Sequence, residues 1–265
     1  MPLTLTETRE LLERLGHEPR RQLGQNFLVD KNLVAKSLKL ANVQPGDRIV
    51  EVGPGLGTLT EALLEAGAEV WAVETDPRLF AHLKDTLEFK YKERIHLTQG
   101  DAVEAPLANL ERPREAPFKI VANLPYAITT PWMDAVLSDW LPEEMVLMLQ
   151  SECAARLTAT PGTKNFGAIT IFLSAAFERA GSHKVHAGAF YPQPRVDSAL
   201  LHLRQREQPY TFQSRTRQLI REFFNQRRKQ TGTLARAHAE THPELTEWLE
   251  HLRHLGHEPN ARPED

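Results

Sequence analysis

Residues 123–126, Asn-Leu-Pro-Tyr, place an amide, a constrained turn and a phenol ring within four positions. An asparagine amide oxygen and a neighbouring backbone carbonyl of Leu124 or Pro125 can both accept hydrogen bonds from one planar NH2 group. Tyr126 beside them offers a stacking face. Such a set can hold an aromatic amine; a proline-stabilised turn without a ligand is the plainer alternative. Upstream lies Glu51-Val-Gly-Pro-Gly-Leu-Gly57. Its glycines let the chain turn sharply and let a ligand approach the backbone, ahead of a helix whose first N–H groups lack partners. The spacing is G-x-G-x-G and not the dinucleotide G-x-G-x-x-G, so a nucleotide-type ligand and a tight structural turn both stay open.

Two acids fall where such a ligand would need them. Glu74 follows Gly53 by about twenty residues, the distance at which an acid can accept from both ribose hydroxyls. Asp101, after Gly100, can accept from an adenine amino group or serve as a turn residue. Asp76 reads as a helix cap before Pro77. The eleven histidines form no cluster, and the helix-like pairs His183/His186 and His251/His254 have no carboxylate partner in a recognisable metal pattern, so no metal site is expected.

The elements that must position these residues follow from periodicity. Arg48–Val52, Glu69–Glu74 and residues 94–98, 118–122 and 145–149 are short apolar runs, most with β-branched residues, as in buried parallel strands. Helical spacing fills residues 58–66 and 77–88 between them, with Pro77 suited to a first turn. That alternation predicts a doubly wound α/β sheet. Residues 166–177 read as a buried helix, 198–204 as a final strand, and 6–15 and 30–40 as helices preceding the sheet. After Gln205 the pattern becomes helical to about residue 255. The expected division is therefore 1–206, an α/β domain with an N-terminal helical extension, and 207–265, a small all-helical domain. Residues 258–265 read as a frayed polar tail.

Composition bounds the rest. A single cysteine, Cys153, excludes an intramolecular disulfide. The opening ten residues are polar and carry no secretory pattern, and no stretch approaches the roughly 20 apolar residues needed to cross a bilayer. The expectation is a cytoplasmic protein with no membrane partner. The formal net charge is −3, yet residues 215–229 carry five arginines and one lysine against one acid. That run reads either as a phosphate-binding face or as a solvated helix surface.

Together with Gln25-Asn-Phe-Leu28 and Phe190-Tyr-Pro-Gln-Pro-Arg-Val-Asp-Ser198, these motifs resemble, in order over residues 20–230, the rRNA adenine N6,N6-dimethyltransferases, the small-subunit (16S) members above all. The resemblance implies a Rossmann-like S-adenosylmethionine methyltransferase domain followed by a small helical domain for RNA recognition. It implies that Asn26 and Leu28 hold the methionine end of S-adenosyl-L-methionine, Gly53 and Gly55 its backbone-side contacts, Glu74 the ribose and Asp101 the adenine, with Asn123 near the methyl group. Phe190 would stack on the target base opposite Tyr126. Arg221, Arg227, Arg228 and Lys229 would contact RNA. Ala127 and Arg195 depart from the Asn and Lys frequent in the family; neither removes a group that would hold the amine.

The implied reaction dimethylates the N6 amines of two adjacent adenosines in the 3′-terminal hairpin loop of 16S rRNA, within the small ribosomal subunit or its precursor. It leaves S-adenosylhomocysteine, and the enzyme is expected to be a monomer. A dehydrogenase would share the fold but has no use for residues 123–126. A 23S rRNA methyltransferase of the macrolide-resistance type, or a factor acting chiefly in small-subunit assembly, would share the motifs.

Overall fold

The computed structural model describes residues 2–110, 116–257 and 259–265. Its strands, in chain order, are β1 (Phe27–Leu28), β2 (Arg48–Val52), β3 (Glu69–Glu74), β4 (Ile95–Gln99), β5 (Lys119–Asn123), β6 (Glu144–Gln150), β7 (Phe177–Val185), β8 (Phe190–Tyr191) and β9 (Ser198–Gln205). Seven form one sheet in the order β4-β3-β2-β5-β6-β9-β7, and β1 pairs with β8. β2 to β6 run parallel, while β9 lies antiparallel between β6 and β7.

This order follows from burial. Ile49, Val50 and Val52 of β2 and Ile120, Val121 and Ala122 of β5 are all at most 2% exposed, so both faces of the central strands must be covered by helices. The strand order reverses between β2 and β5, and in such sheets the crevice beyond the carboxyl ends at the reversal receives ligands. The glycine turn follows β2, while Asn123 closes β5 and residues 124–126 follow it.

The sheet carries one strand more than periodicity predicts. The expected buried helix is present as Ala168–Ala176, but Phe177 opens β7 instead of closing the helix. β7 is an edge strand whose middle residues are exposed or half-buried, with a register shift between Arg179 and Gly181. It therefore shows no apolar run. The expected helix over 77–88 is an α-helix only over Pro77–Leu83 and passes into a π-helical turn over Lys84–Glu88.

The chain divides into two units, Met1–Ala154 with Ala176–Pro209, and Ala155–Ala175 with Tyr210–Asp265. Residues 155–175, expected with the sheet, group instead with the helical unit. Phe172 explains this: its ring packs on Phe212 at 5.5 Å and beneath the Arg217 guanidinium at 4.4 Å. The helical unit has its own core of Phe223, Leu234, Ala235, Leu245 and Leu249. Residues 259–265 are docked, contrary to the expected frayed tail; Glu258 lies outside the described residues. Thr231 N donates to Ala261 O and Gly232 N to Pro259 O, both at 2.8 Å. A Cβ on Gly232 would meet Pro259 at 2.8 Å, so this approach requires glycine.

Candidate functional site

A cavity opens at the reversal point of the sheet. Gly24, Gln25, Asn26, Leu28, Glu51, Gly53, Gly55, Glu74, Asp101 and residues 123–126 contribute to its walls. The structure thus gathers every residue expected to hold the cofactor, together with 123–126, around one space.

The glycine turn is shaped by what it packs against. Gly53 has φ +66°, and a Cβ there would lie 3.3 Å from the Pro125 ring. The turn after β2 and the turn after β5 are therefore in direct contact, which a side chain at 53 would wedge apart. Gly53 N is occupied by Val73 O at 3.0 Å.

Glu74 ends β3 with its carboxylate fixed by two backbone donors: Gly55 N at 3.0 Å and Asp76 N at 2.8 Å, one to each oxygen. Each oxygen retains acceptor capacity for a ribose hydroxyl. Burial pushes the Glu74 carboxyl up from its ordinary value, and these backbone donors oppose the shift. Glu51 lies deeper. Its Oε2 is buried without a hydrogen-bond partner among the described residues, and burial pushes its carboxyl up to about 8, against the lowering effect of the nearby Thr60 hydroxyl and with a smaller push from the Glu74 charge. Asp101 stands exposed at the rim, with Oδ1 accepting from Val103 N at 2.7 Å. Among the described lining residues there is no Lys, Arg or His. A space walled by the acids Glu51, Glu74 and Asp101 and by no Lys, Arg or His among the described residues disfavours a pyrophosphate and admits a cationic ligand.

The segment before β1 forms the opposite wall as a strap. Gln25 Oε1 accepts from Arg20 N at 2.8 Å and lies 3.0 Å from His17 Nε2. Gln25 Nε2 reaches Asp76 Oδ2 at 3.4 Å. Asp76 is fully buried and caps the helix that starts at Pro77, accepting from Arg78 N at 2.9 Å; the cap expectation holds, and the same residue also anchors the strap. A Cβ on Gly24, whose φ is +63°, would sit 3.2 Å from Tyr126 N. Asn26 Nδ2 donates to Gly24 O, and Asn26 O accepts from Asn123 Nδ2, both at 3.0 Å. One of the two N–H groups of the Asn26 amide is thus used within the strap.

The Asn123 bond determines what residues 123–126 can do. With Nδ2 committed to Asn26 O, Oδ1 is the atom left to accept from a ligand. Pro125 O already takes Ile128 N at 3.2 Å and Thr129 Oγ1 at 3.4 Å. The carbonyl of this turn that remains for a ligand among the described residues is that of Leu124. Two acceptors side by side can grip one NH2 group. Tyr126 is half-buried; burial raises its phenol above the ordinary value, so it is un-ionised at neutral pH.

Phe190 does not join them. It is 3% exposed and buried in the core with Leu28 and Val34, and it is not among the cavity's lining residues. The expected sandwich of Tyr126 and Phe190 is absent because the Phe190 ring satisfies its apolar surface in the core. Its contribution to the site is indirect, through the β8 pairing of Phe190 with Leu28.

The basic residues of the helical unit differ among themselves. Arg227 is ion-paired with Glu264 and donates to Lys164 O at 3.0 Å. Arg221 lies half-buried over the Phe172 ring at 5.5 Å. Arg228 and Lys229 are exposed. Sequence reasoning missed Glu264 as a counter-charge, Gln25 and Asp76 as strap anchors, and Glu51 as a buried acid in the cavity. Only the last carried a signal, as the acid two residues before the first glycine.

Among the described residues, no group of three His, Cys, Asp or Glu could hold a metal, and no helix is long and apolar enough to cross a membrane.

Comparison with known proteins bears on this site. Residues 16–252 match the model of the family described as Ribosomal RNA adenine dimethylase. A protein of Opitutus terrae named Ribosomal RNA small subunit methyltransferase A is 58% identical, over 100% of this chain and 95% of that protein. A protein of the same name from Moorella thermoacetica is 38% identical over 97% and 91%. The fold resembles that of a dimethyladenosine transferase from Plasmodium falciparum (TM-score 0.70, 23% identity, 89% of this chain and 91% of that one). It also resembles the 23S rRNA methyltransferase ErmE (TM-score 0.63, 26% identity, 90% and 93%).

Proposed function

The chain belongs to the ribosomal RNA adenine dimethylase family, and on that premise we propose that it dimethylates the N6 amines of two adjacent adenosines in the 3′-terminal hairpin loop of 16S rRNA. The target is the small ribosomal subunit or its precursor. The protein acts as a cytoplasmic monomer without a metal or a membrane partner. Its relatives named for the small subunit, the nearer at 58% identity, support 16S over 23S rRNA.

The observation that carries this reading is the pairing of a cavity that holds acids and no Lys, Arg or His among its described lining with two adjacent acceptors, Asn123 Oδ1 and Leu124 O. S-adenosylmethionine supplies an electrophilic methyl on a sulfonium, and the residues fit it: Glu74 for the ribose, Asp101 for the adenine amine, and the strap at Asn26 and Leu28 for the methionine end. The crowded backbone at Gly53 and Gly55 forms the cradle.

The protein's own contribution is alignment and electrostatics. Asn123 Oδ1 and Leu124 O accept from the target amine, aim its lone pair and leave the ring to stack on Tyr126. The adenine must leave its stack to reach them, as in a loop or by flipping. Each transfer would form an N–C bond as the C–S bond breaks and release one amine proton to solvent; after the first the amine retains one hydrogen, so the grip passes from two acceptors to one before the second. S-adenosylhomocysteine leaves after each. Arg228 and Lys229, with Arg221, supply contacts to phosphate.

Incubation of unmethylated rRNA with labelled S-adenosylmethionine, then digestion to nucleosides, tests the reaction. Label is expected in N6,N6-dimethyladenosine. Label in a cytidine or in a ribose methyl would overturn it.

A further inference from the structure

Tyr126 turns its hydroxyl into the protein, where it lies 2.9 Å from Ser198 Oγ. Ser198 is the first residue of β9 and is wholly buried. Its backbone is held on both sides, opposite Gln150 of β6 and Val185 of β7. It is not among the residues lining the cavity. A serine in this place is a fixed post set in the antiparallel half of the sheet, and the tyrosine it meets comes from the parallel half.

A tyrosine on a turn has two torsions, and the second is broad. A ring held only at its Cβ would present a variable plane to an incoming base. A hydrogen bond at the far end of the ring fixes both torsions at once, while the backbone of Tyr126 is held from the other side by its close approach to Gly24. We propose that Ser198 is a positioning residue for methyl transfer: through the Tyr126 hydroxyl it sets the plane of the ring on which the target adenine stacks. The inference rests on the reading of Tyr126 as that stacking face.

The test is a double-mutant cycle on the full chain with Ser198→Ala, Tyr126→Phe and the two combined, and with Tyr126→Ala as a separate control. Both cycle substitutions are nearly isosteric, and either alone breaks the bond. Each single variant is expected to lose about threefold to tenfold in kcat on rRNA, the scale of one hydrogen bond, with KM for S-adenosylmethionine unchanged. The combined variant should lose no more than the worse single one. Independent, multiplying losses, or a loss confined to melting temperature and cofactor KM, would overturn the positioning role. If the cycle variants keep full kcat while Tyr126→Ala loses it, stacking stands and positioning by Ser198 fails. If Tyr126→Ala also keeps full kcat, the stacking reading fails and takes this inference with it.

Discussion

Asn123 Nδ2 donates to the backbone carbonyl of Asn26 at 3.0 Å, across 97 residues of sequence. The bond joins the turn after β5 to the strap before β1 and leaves the amide oxygen of a cavity-lining residue as the acceptor. Asn123→Asp keeps an acceptor but places a carboxylate oxygen against the Asn26 carbonyl. It should lower kcat by about 10²-fold or more, the scale of one preorganised polar group, a larger loss than that in cofactor affinity. Single-turnover methyl transfer beside calorimetric binding checks this; equal loss of both would mean that the bond serves the cofactor site alone.

Gly24 should be intolerant of a side chain. Its φ of +63° and the 3.2 Å approach of a Cβ to Tyr126 N make Gly24→Ala strained in two ways. The backbone part alone costs about 1–2 kcal/mol. The variant should bind S-adenosylmethionine more weakly and melt at a lower temperature. A variant with unchanged affinity would show that the strap can lift away from the turn without consequence.

Much of this site is legible in the chain and some of it is not. The glycine turn, Glu74, Asp101 and residues 123–126 are adjacent to strand ends, so their convergence follows once five buried runs are taken as parallel strands. The strap is different. Gln25 meets Asp76 across 51 residues, and Asn26 meets Asn123 across 97; neither contact has a period or a turn signal. Phe190 sits in a motif that points to a ligand, yet its environment is the core, because a motif fixes residue type and not side-chain exposure. β7 was hidden because an exposed edge strand has no apolar alternation to display. Arg227 lies in the basic run, yet the packed tail brings Glu264 to it, a contact across 37 residues that no local pattern signals.

Glu51 should make stability depend on pH in a known direction. Its carboxyl is raised from 4.5 to about 8 in the fold, so the native state holds a proton that the unfolded chain has released. The resulting stability is fully present below pH 4.5 and is lost as pH rises to about 8, at up to about 1.4 kcal/mol per pH unit. Relative to Glu51→Gln, the parent should therefore lose melting temperature between pH 5 and pH 8. A constant difference over that range would show that Glu51 is ionised in the native state.

The basic run should split by environment. Arg228→Ala with Lys229→Ala should weaken RNA binding and lower the slope of log K against log salt by about 1.4–1.8, the value for two phosphate contacts. Arg227→Ala should instead lower the melting temperature of the helical unit, since its guanidinium holds Glu264 and Lys164 O. Salt titrations of both variants check this; a slope change from Arg227→Ala of about 0.7–0.9, the value for one phosphate contact, would assign it to RNA as well.

The most direct measurement is to incubate the protein with labelled S-adenosylmethionine and separately purified, unmethylated small and large ribosomal subunits, and to map the labelled nucleotides. Two adjacent N6,N6-dimethyladenosines near the 3′ end of small-subunit rRNA are the expected result. Label confined to large-subunit rRNA would contradict the account and assign the chain to the 23S type; no label despite intact cofactor binding would contradict methyl transfer to these subunits and favour a role in assembly.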